Sequence, residues 1–177
     1  MWSPPEDNSS LSVSPSKVSN HYQSYAKRDG IVIDNSLSET QMNGLDMSGF
    51  RIKKIPFDLF HFGFLSELRL ANNLLTLVPV EMGLLRTLTC LDLSNNQLTS
   101  VPRELGKLTN LTHFYLFNNQ ITMLPSEFGY LYQIEDIGLE GNPIAEPLAS
   151  IMHNQGSIMV IPFLRDHMIS KKYWVRV

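Results

Sequence analysis

The sequence predicts an α/β solenoid of about five 23-residue turns, with short parallel strands on a concave face and a cap at each end. Three observations predict it. Asparagine recurs at Asn73, Asn96, Asn119 and Asn142, 23 residues apart each time. Three successive stretches, Leu65 to Leu75, Leu88 to Leu98 and Leu111 to Ile121, share the spacing L-x-x-L-x-L-x-x-N-x-L, with Phe114 and Ile121 as exchanges. Each then closes on an apolar residue and a proline: Val78-Pro79, Val101-Pro102 and Leu124-Pro125. A fixed period shared by three unrelated features is the mark of a repeat architecture.

This spacing is the leucine-rich-repeat pattern, one strand and one return segment per unit, and each slot has a physical cause. In L-x-L the two apolar residues point to one face of a strand and the residue between them to the other. Leu68/Leu70, Leu91/Leu93, Phe114/Leu116 and Ile137/Leu139 therefore enter the core. One turn cannot bury its apolar side alone, so neighbours must stack. The asparagine slot takes the chain off the strand, where backbone groups lose their ladder partners. An amide offers two donors and an acceptor to replace them, so Asn73, Asn96, Asn119 and Asn142 are assigned a structural role. The return segments align as Asp58, Glu81, Glu104 and Glu127, with Gly83, Gly106 and Gly129 following. This predicts a short helical or 3₁₀ turn that starts near the proline and stops at the glycine.

Taken in order, residues 1–30 are rich in Ser, with Pro4, Pro5 and Pro15 and few large apolar groups. Such a composition cannot offset the entropy of ordering, and a disordered arm is expected. Ser3-Pro4 and Ser14-Pro15 read either as proline-directed phosphorylation sites or as uncommitted tail. Residues 31–44 are expected to form an N-terminal cap, from Ile31-Val32-Ile33 and a short helix capped by Ser36 or Ser38. The repeats occupy 45–144. Leu45, Met47, Ile52 and Ile55-Pro56 fall in register as a degenerate first turn, with Phe50 in the asparagine slot. The fifth carries Ile134, Ile137, Leu139, Asn142 and Ile144, and Pro143 ends the regular pattern. A C-terminal helical cap is expected over 145–169, from the helical spacing of Leu148, Ile151 and Met152 and from a second helix over 158–168. Pro162 must sit in the first turn of that helix or kink it. Residues 170–177 read as a tail.

Composition narrows the function. The net charge is −3, and residues 41–164 hold 11 acidic and 7 basic side chains. An acidic block cannot gain the counterion release that drives binding to a phosphate backbone, so no direct nucleic-acid contact is expected. The one cysteine, Cys90, cannot form the disulfide-bonded caps of secreted repeat proteins. Met1 to Pro5 does not read as a signal peptide, and no apolar run approaches membrane-spanning length. The expected compartment is cytoplasm, nucleus or both, with no membrane partner. Phosphate-loop, zinc-protease, C-x-x-C and nucleophile-elbow motifs are absent. Cys90 and His113 occupy equivalent positions in adjacent turns, but no third orienting group accompanies them. No catalytic residue, metal ligand or cofactor is assigned.

The candidate site is instead the concave face. By turn, its residues are Gly44/Asp46/Ser48, Glu67/Arg69/Ala71, Cys90/Asp92/Ser94, His113/Tyr115/Phe117 and Asp136/Gly138/Glu140. The fourth set puts three rings in alternating positions, an exposed aromatic stripe between Asp92 and the pair Asp136 and Glu140. Exposed aromatics beside charges are typical interface anchors. Partner binding is therefore assigned to Arg69, Asp92, His113, Tyr115, Phe117, Asp136 and Glu140. The alternative is that Tyr115 and Phe117 pack only against each other or beneath the C-terminal cap.

Several segments carry a resemblance to one family. They are Phe114-Tyr115-Leu116-Phe117-Asn118-Asn119, Leu124-Pro125-x-Glu127-Phe128-Gly129, Leu139-Glu140-Gly141-Asn142-Pro143 and Phe163-Leu164-Arg165-Asp166. They resemble the leucine-rich-repeat region of fungal carbon catabolite repressor protein 4, an exonuclease subunit of the major mRNA deadenylase complex. Leu45-Asp46-Met47-Ser48 resembles the segment that opens that family's repeats, and the likeness covers roughly residues 43–166.

The resemblance implies that the repeats bind a companion deadenylase of the DEDD nuclease type, which bridges to the scaffold of the complex. It also implies a magnesium-dependent nuclease domain after the repeats. The present sequence stops 11 residues after Asp166, and that domain's metal-binding Glu and catalytic Asp, Asn and His have no counterpart. The expectation is a noncatalytic interaction module with no cofactor of its own. One alternative is a fragment of an intact magnesium-dependent poly(A) 3′-exonuclease continuing past residue 177. Another is a generic intracellular leucine-rich-repeat adaptor.

Overall fold

The computed structural model describes residues 43–174, with side chains through Met168. The arm expected over 1–30, residues 31–42 of the expected N-terminal cap, and residues 175–177 lie outside the described residues.

Five strands form one parallel sheet in chain order: β1 (Gly44–Asp46), β2 (Glu67–Arg69), β3 (Cys90–Asp92), β4 (His113–Tyr115) and β5 (Asp136–Gly138). Register follows the period without slippage, so Leu45, Leu68, Leu91, Phe114 and Ile137 pair in sequence across the sheet. The ladder outlasts the three-residue strands. Leu70 N–H donates to Asp92 O at 2.7 Å and Leu93 N–H to Tyr115 O at 2.8 Å. Leu68, Leu70, Leu91, Leu93, Phe114 and Leu116 are fully buried, and one continuous core runs from Leu45 to Leu164. Each such leucine contributes roughly 1.5–3 kcal/mol of burial free energy, collected only because the next turn covers it.

The asparagines bind the stack together. Asn96 donates through Nδ2 to Leu70, Leu93 and Ser94 carbonyls at 3.0–3.2 Å and accepts at Oδ1 from Leu75 N–H at 3.0 Å. Each therefore ties its own turn to the one before. Asn73 and Asn119 repeat all four bonds. Asn142 reaches Leu116 and Leu139 carbonyls and Ile121 N–H. The asparagine just before the buried one has a separate role: Asn72, Asn95 and Asn118 hold φ of 57°, 55° and 51°. Asparagine is the side-chain-bearing residue that best tolerates this left-handed turn.

The return segments are 3₁₀ turns at Phe57–His61, Val80–Leu84, Arg103–Lys107 and Ser126–Tyr130, each preceded by its proline. Their ends correct the sequence reading. The glycine does not stop the turn; it is the fourth of five residues, and a leucine follows the last. Close approach explains the glycine. A Cβ on Gly83 would lie 2.5 Å from the Glu104 carbonyl oxygen, and one on Gly106 would overlap the Glu127 carbonyl. The first turn carries Phe60 in that slot, buried and edge-on to Phe57 at 5.8 Å.

Two helices close the far end, α1 (Leu148–Gln155) and α2 (Val160–Trp174). Pro162 sits in the first turn of α2, where its missing N–H costs nothing. Helix α2 packs on the last 3₁₀ turn: Arg165 Nε donates to Gly129 O at 3.0 Å, and its guanidinium lies 4.8 Å from the Tyr132 ring centre. The tail expected from residue 170 is helical through Trp174, because α2 runs past the boundary expected at 169.

Candidate protein-docking face

Strict register puts the concave positions in rows. Cys90, His113 and Asp136 stand side by side on β3, β4 and β5, as do Asp92, Tyr115 and Gly138. The rings of the fourth turn are half-buried rather than fully exposed, and contacts among them account for it. Tyr115 and Phe117 stack with centroids 5.7 Å apart and planes 17° from parallel, while His113 meets Tyr115 edge-on at 6.2 Å. Phe117 lies over Gly138 so closely that a Cβ there would occupy its ring. The missing side chain on β5 is the seat of the stripe.

Polar groups hold the rings from both sides. Tyr115 Oη donates to Asp136 Oδ2 at 3.0 Å. Desolvation against the sheet, then this bond and the negative charge of Asp136, push the Tyr115 phenol up to about 12. On β3, Asp92 Oδ1 accepts from Ser94 N–H at 2.9 Å, as Asp46 Oδ1 does from Ser48 N–H. Ser94 itself is buried with no partner for its hydroxyl. Burial is the largest influence on the Cys90 thiol and raises it, the reverse of what a thiolate nucleophile needs.

The assigned residues divide. Asp92, His113, Tyr115, Phe117 and Asp136 form one contiguous group. Arg69, beside Asp92 in register, turns instead to Glu67 at 3.0 Å. Glu140 belongs to the cap: Ser157 Oγ donates to its Oε1 at 2.6 Å, and Oε2 accepts from Leu139 N–H at 3.1 Å. Burial opposes ionisation of Glu140, but these donors outweigh it and hold the carboxyl below the usual range. Ala71 is buried as well, so the second turn offers this face little beyond its ion pair.

Three features escape sequence reasoning. Ser157 lies 17 residues beyond Glu140, with no repeat to flag it. An apolar patch on the return side, Phe57, Leu77, Val80 and Leu84, is more than half exposed at each residue; its signal is an apolar residue in slots that the third turn fills with Ser100, Arg103 and Lys107. A groove of about 330 Å³ lies between residues 122–126, residues 145–148 and α2, with Met123, Pro147, Phe163 and His167 among its walls. Among the described residues no group of three or more His, Cys, Asp or Glu is placed to hold a metal ion, and no helix is long and apolar enough to cross a membrane.

Comparisons with known proteins agree with this architecture. The family described as leucine-rich repeats (two copies) matches residues 86–130. The CCR4-Not complex 3′-5′-exoribonuclease subunit Ccr4 of Aspergillus niger is 47% identical over 158 residues, covering 89% of this chain and 24% of that protein. Its Schizosaccharomyces pombe namesake is 54% identical over 122 residues, 69% of this chain and 18% of that one. A solved leucine-rich-repeat protein of Leptospira interrogans superposes with a TM-score of 0.55 at 34% identity, over 60% of this chain and 28% of that one. The fold is thus the leucine-rich-repeat solenoid. The chain spans about a quarter of the length of the first of these Ccr4 relatives, and what it resembles there is the repeat region.

Proposed function

We propose that this chain, similar to the leucine-rich-repeat region of Ccr4 subunits over most of its length, is a noncatalytic docking module of the mRNA deadenylation machinery. Its partner is the companion DEDD-type deadenylase subunit, and through it the scaffold of the complex. The compartment is cytoplasm, nucleus or both. The observation that carries the reading is the half-buried ring cluster Tyr115/Phe117 on the concave face, edged by Asp92 and Asp136. A rigid aromatic pair costs little side-chain entropy to bury and supplies a large contact area, the property of an interface hot spot. In a pulldown with the companion deadenylase, the Tyr115→Ala/Phe117→Ala variant should lose most of the captured protein. Unchanged capture removes these residues from the interface.

A second reading is favoured by one observation, the 24% of the Aspergillus niger relative that the chain covers. On this reading the described repeats are the docking part of a longer magnesium-dependent poly(A) 3′-exonuclease. Sequencing the full-length message decides it: an open frame continuing past Val177 into a domain with a magnesium-binding Glu supports the longer enzyme, and a stop codon there supports the short module. Failure to bind the companion deadenylase favours a generic repeat adaptor.

A further inference from the structure

We infer that the docking face selects its partner by a cation: an arginine or lysine laid on the Tyr115 ring between Asp92 and Asp136. This rests on the docking role proposed above and names the chemistry that the partner must bring.

Charge on the concave face is one-sided. Among the described residues Asp46, Glu67, Asp92 and Asp136 stand there against Arg69 alone, and Arg69 is paired with Glu67 at 3.0 Å. Among the described residues no Lys or Arg forms an ion pair with Asp92 or Asp136. Both carboxylates nevertheless border the one place on this face that offers an apolar anchor. Tyr115 is paired in register with Asp92 on β3, one strand spacing away, about 5 Å. Asp136 on β5 already accepts from its hydroxyl.

A partner that covered the rings with neutral or acidic groups would take two carboxylates out of water uncompensated, and an unpaired buried charge is among the costliest errors an interface can contain. A guanidinium on the ring face gains the ring's quadrupole and meets both carboxylates. The bonding pattern leaves room for it. Asp92 uses Oδ1 for the Ser94 N–H and Asp136 uses Oδ2 for Tyr115, so each has a second oxygen for the incoming donor. Phe117, seated over Gly138 and stacked on Tyr115, walls one end of the slot.

The test is a calorimetric titration of the full chain with the companion deadenylase at low and at physiological salt. Four forms are compared: unaltered, Asp92→Asn/Asp136→Asn, Asp46→Asn and Tyr115→Ala/Phe117→Ala, each checked for an unchanged urea midpoint. The double carboxamide should weaken binding about tenfold and flatten the salt dependence. Asp46→Asn, three strands away from β4, should leave both unchanged. If the double carboxamide binds as tightly as the unaltered chain while the aromatic variant fails, the docking role stands and the cation does not. If the aromatic variant binds normally, or the unaltered chain does not bind, both are overturned.

Discussion

A buried asparagine that makes four hydrogen bonds has few substitutes. Replacing Asn96 with Ala takes a donor from the Leu70, Leu93 and Ser94 carbonyls and leaves the Leu75 N–H without its acceptor in a dry interior. The next amide along the chain, Gln97, is exposed and in no position to take over. Urea unfolding of Asn96→Ala should show a loss of about 2–4 kcal/mol. The phenol of Tyr115 offers a second check. Its ionisation in the fold is pushed up to about 12, against about 10 in an unfolded chain. The stability this lends is complete below pH about 10 and drains away as pH rises toward 12. Compared by ultraviolet titration, the unaltered chain should show a late-ionising phenol that Tyr115→Phe lacks. Asp136→Asn should bring it down only part of the way, because burial also raises it.

At the scale of the element, the 3₁₀ turns show where sequence reasoning reaches its limit. Their existence and their proline starts are legible from Pro79, Pro102 and Pro125, whose fixed φ suits the position before a helical turn. The glycines read as stops because a helix-ending glycine is common. Their real cause is a neighbour 21 residues further along, the carbonyls of Glu104 and Glu127, and contact between turns is invisible to any local rule. Gly106→Ala should therefore destabilise by roughly 1–3 kcal/mol in urea unfolding. Gly63→Ala, which meets nothing within 4 Å, should change stability by no more than about 0.5 kcal/mol. The stripe divides in the same way. Alternation tells which face His113, Tyr115 and Phe117 share, but not that Phe117 leans across to Gly138 or that Glu140 is held by Ser157.

At the scale of the whole molecule, the period alone settles strand order and register, because a 23-residue unit stacked without insertion leaves one pairing that keeps every leucine inside. The closing helices have no period to announce them, and their boundaries move accordingly. The noncatalytic docking module proposed above is expected to leave oligo(A) intact in the presence of magnesium. Gel analysis of a long incubation with the recombinant chain checks this, and reproducible shortening would contradict a noncatalytic module.

Outside its own turn the asparagine clasp points only backward, to one carbonyl and one amide of its predecessor. A copied unit of 23 residues inserted in frame between two inner turns would meet a matching clasp on both flanks and need no new contact. The array is free to lengthen from within, while growth past Pro143 would first have to dislodge the helices that seal it.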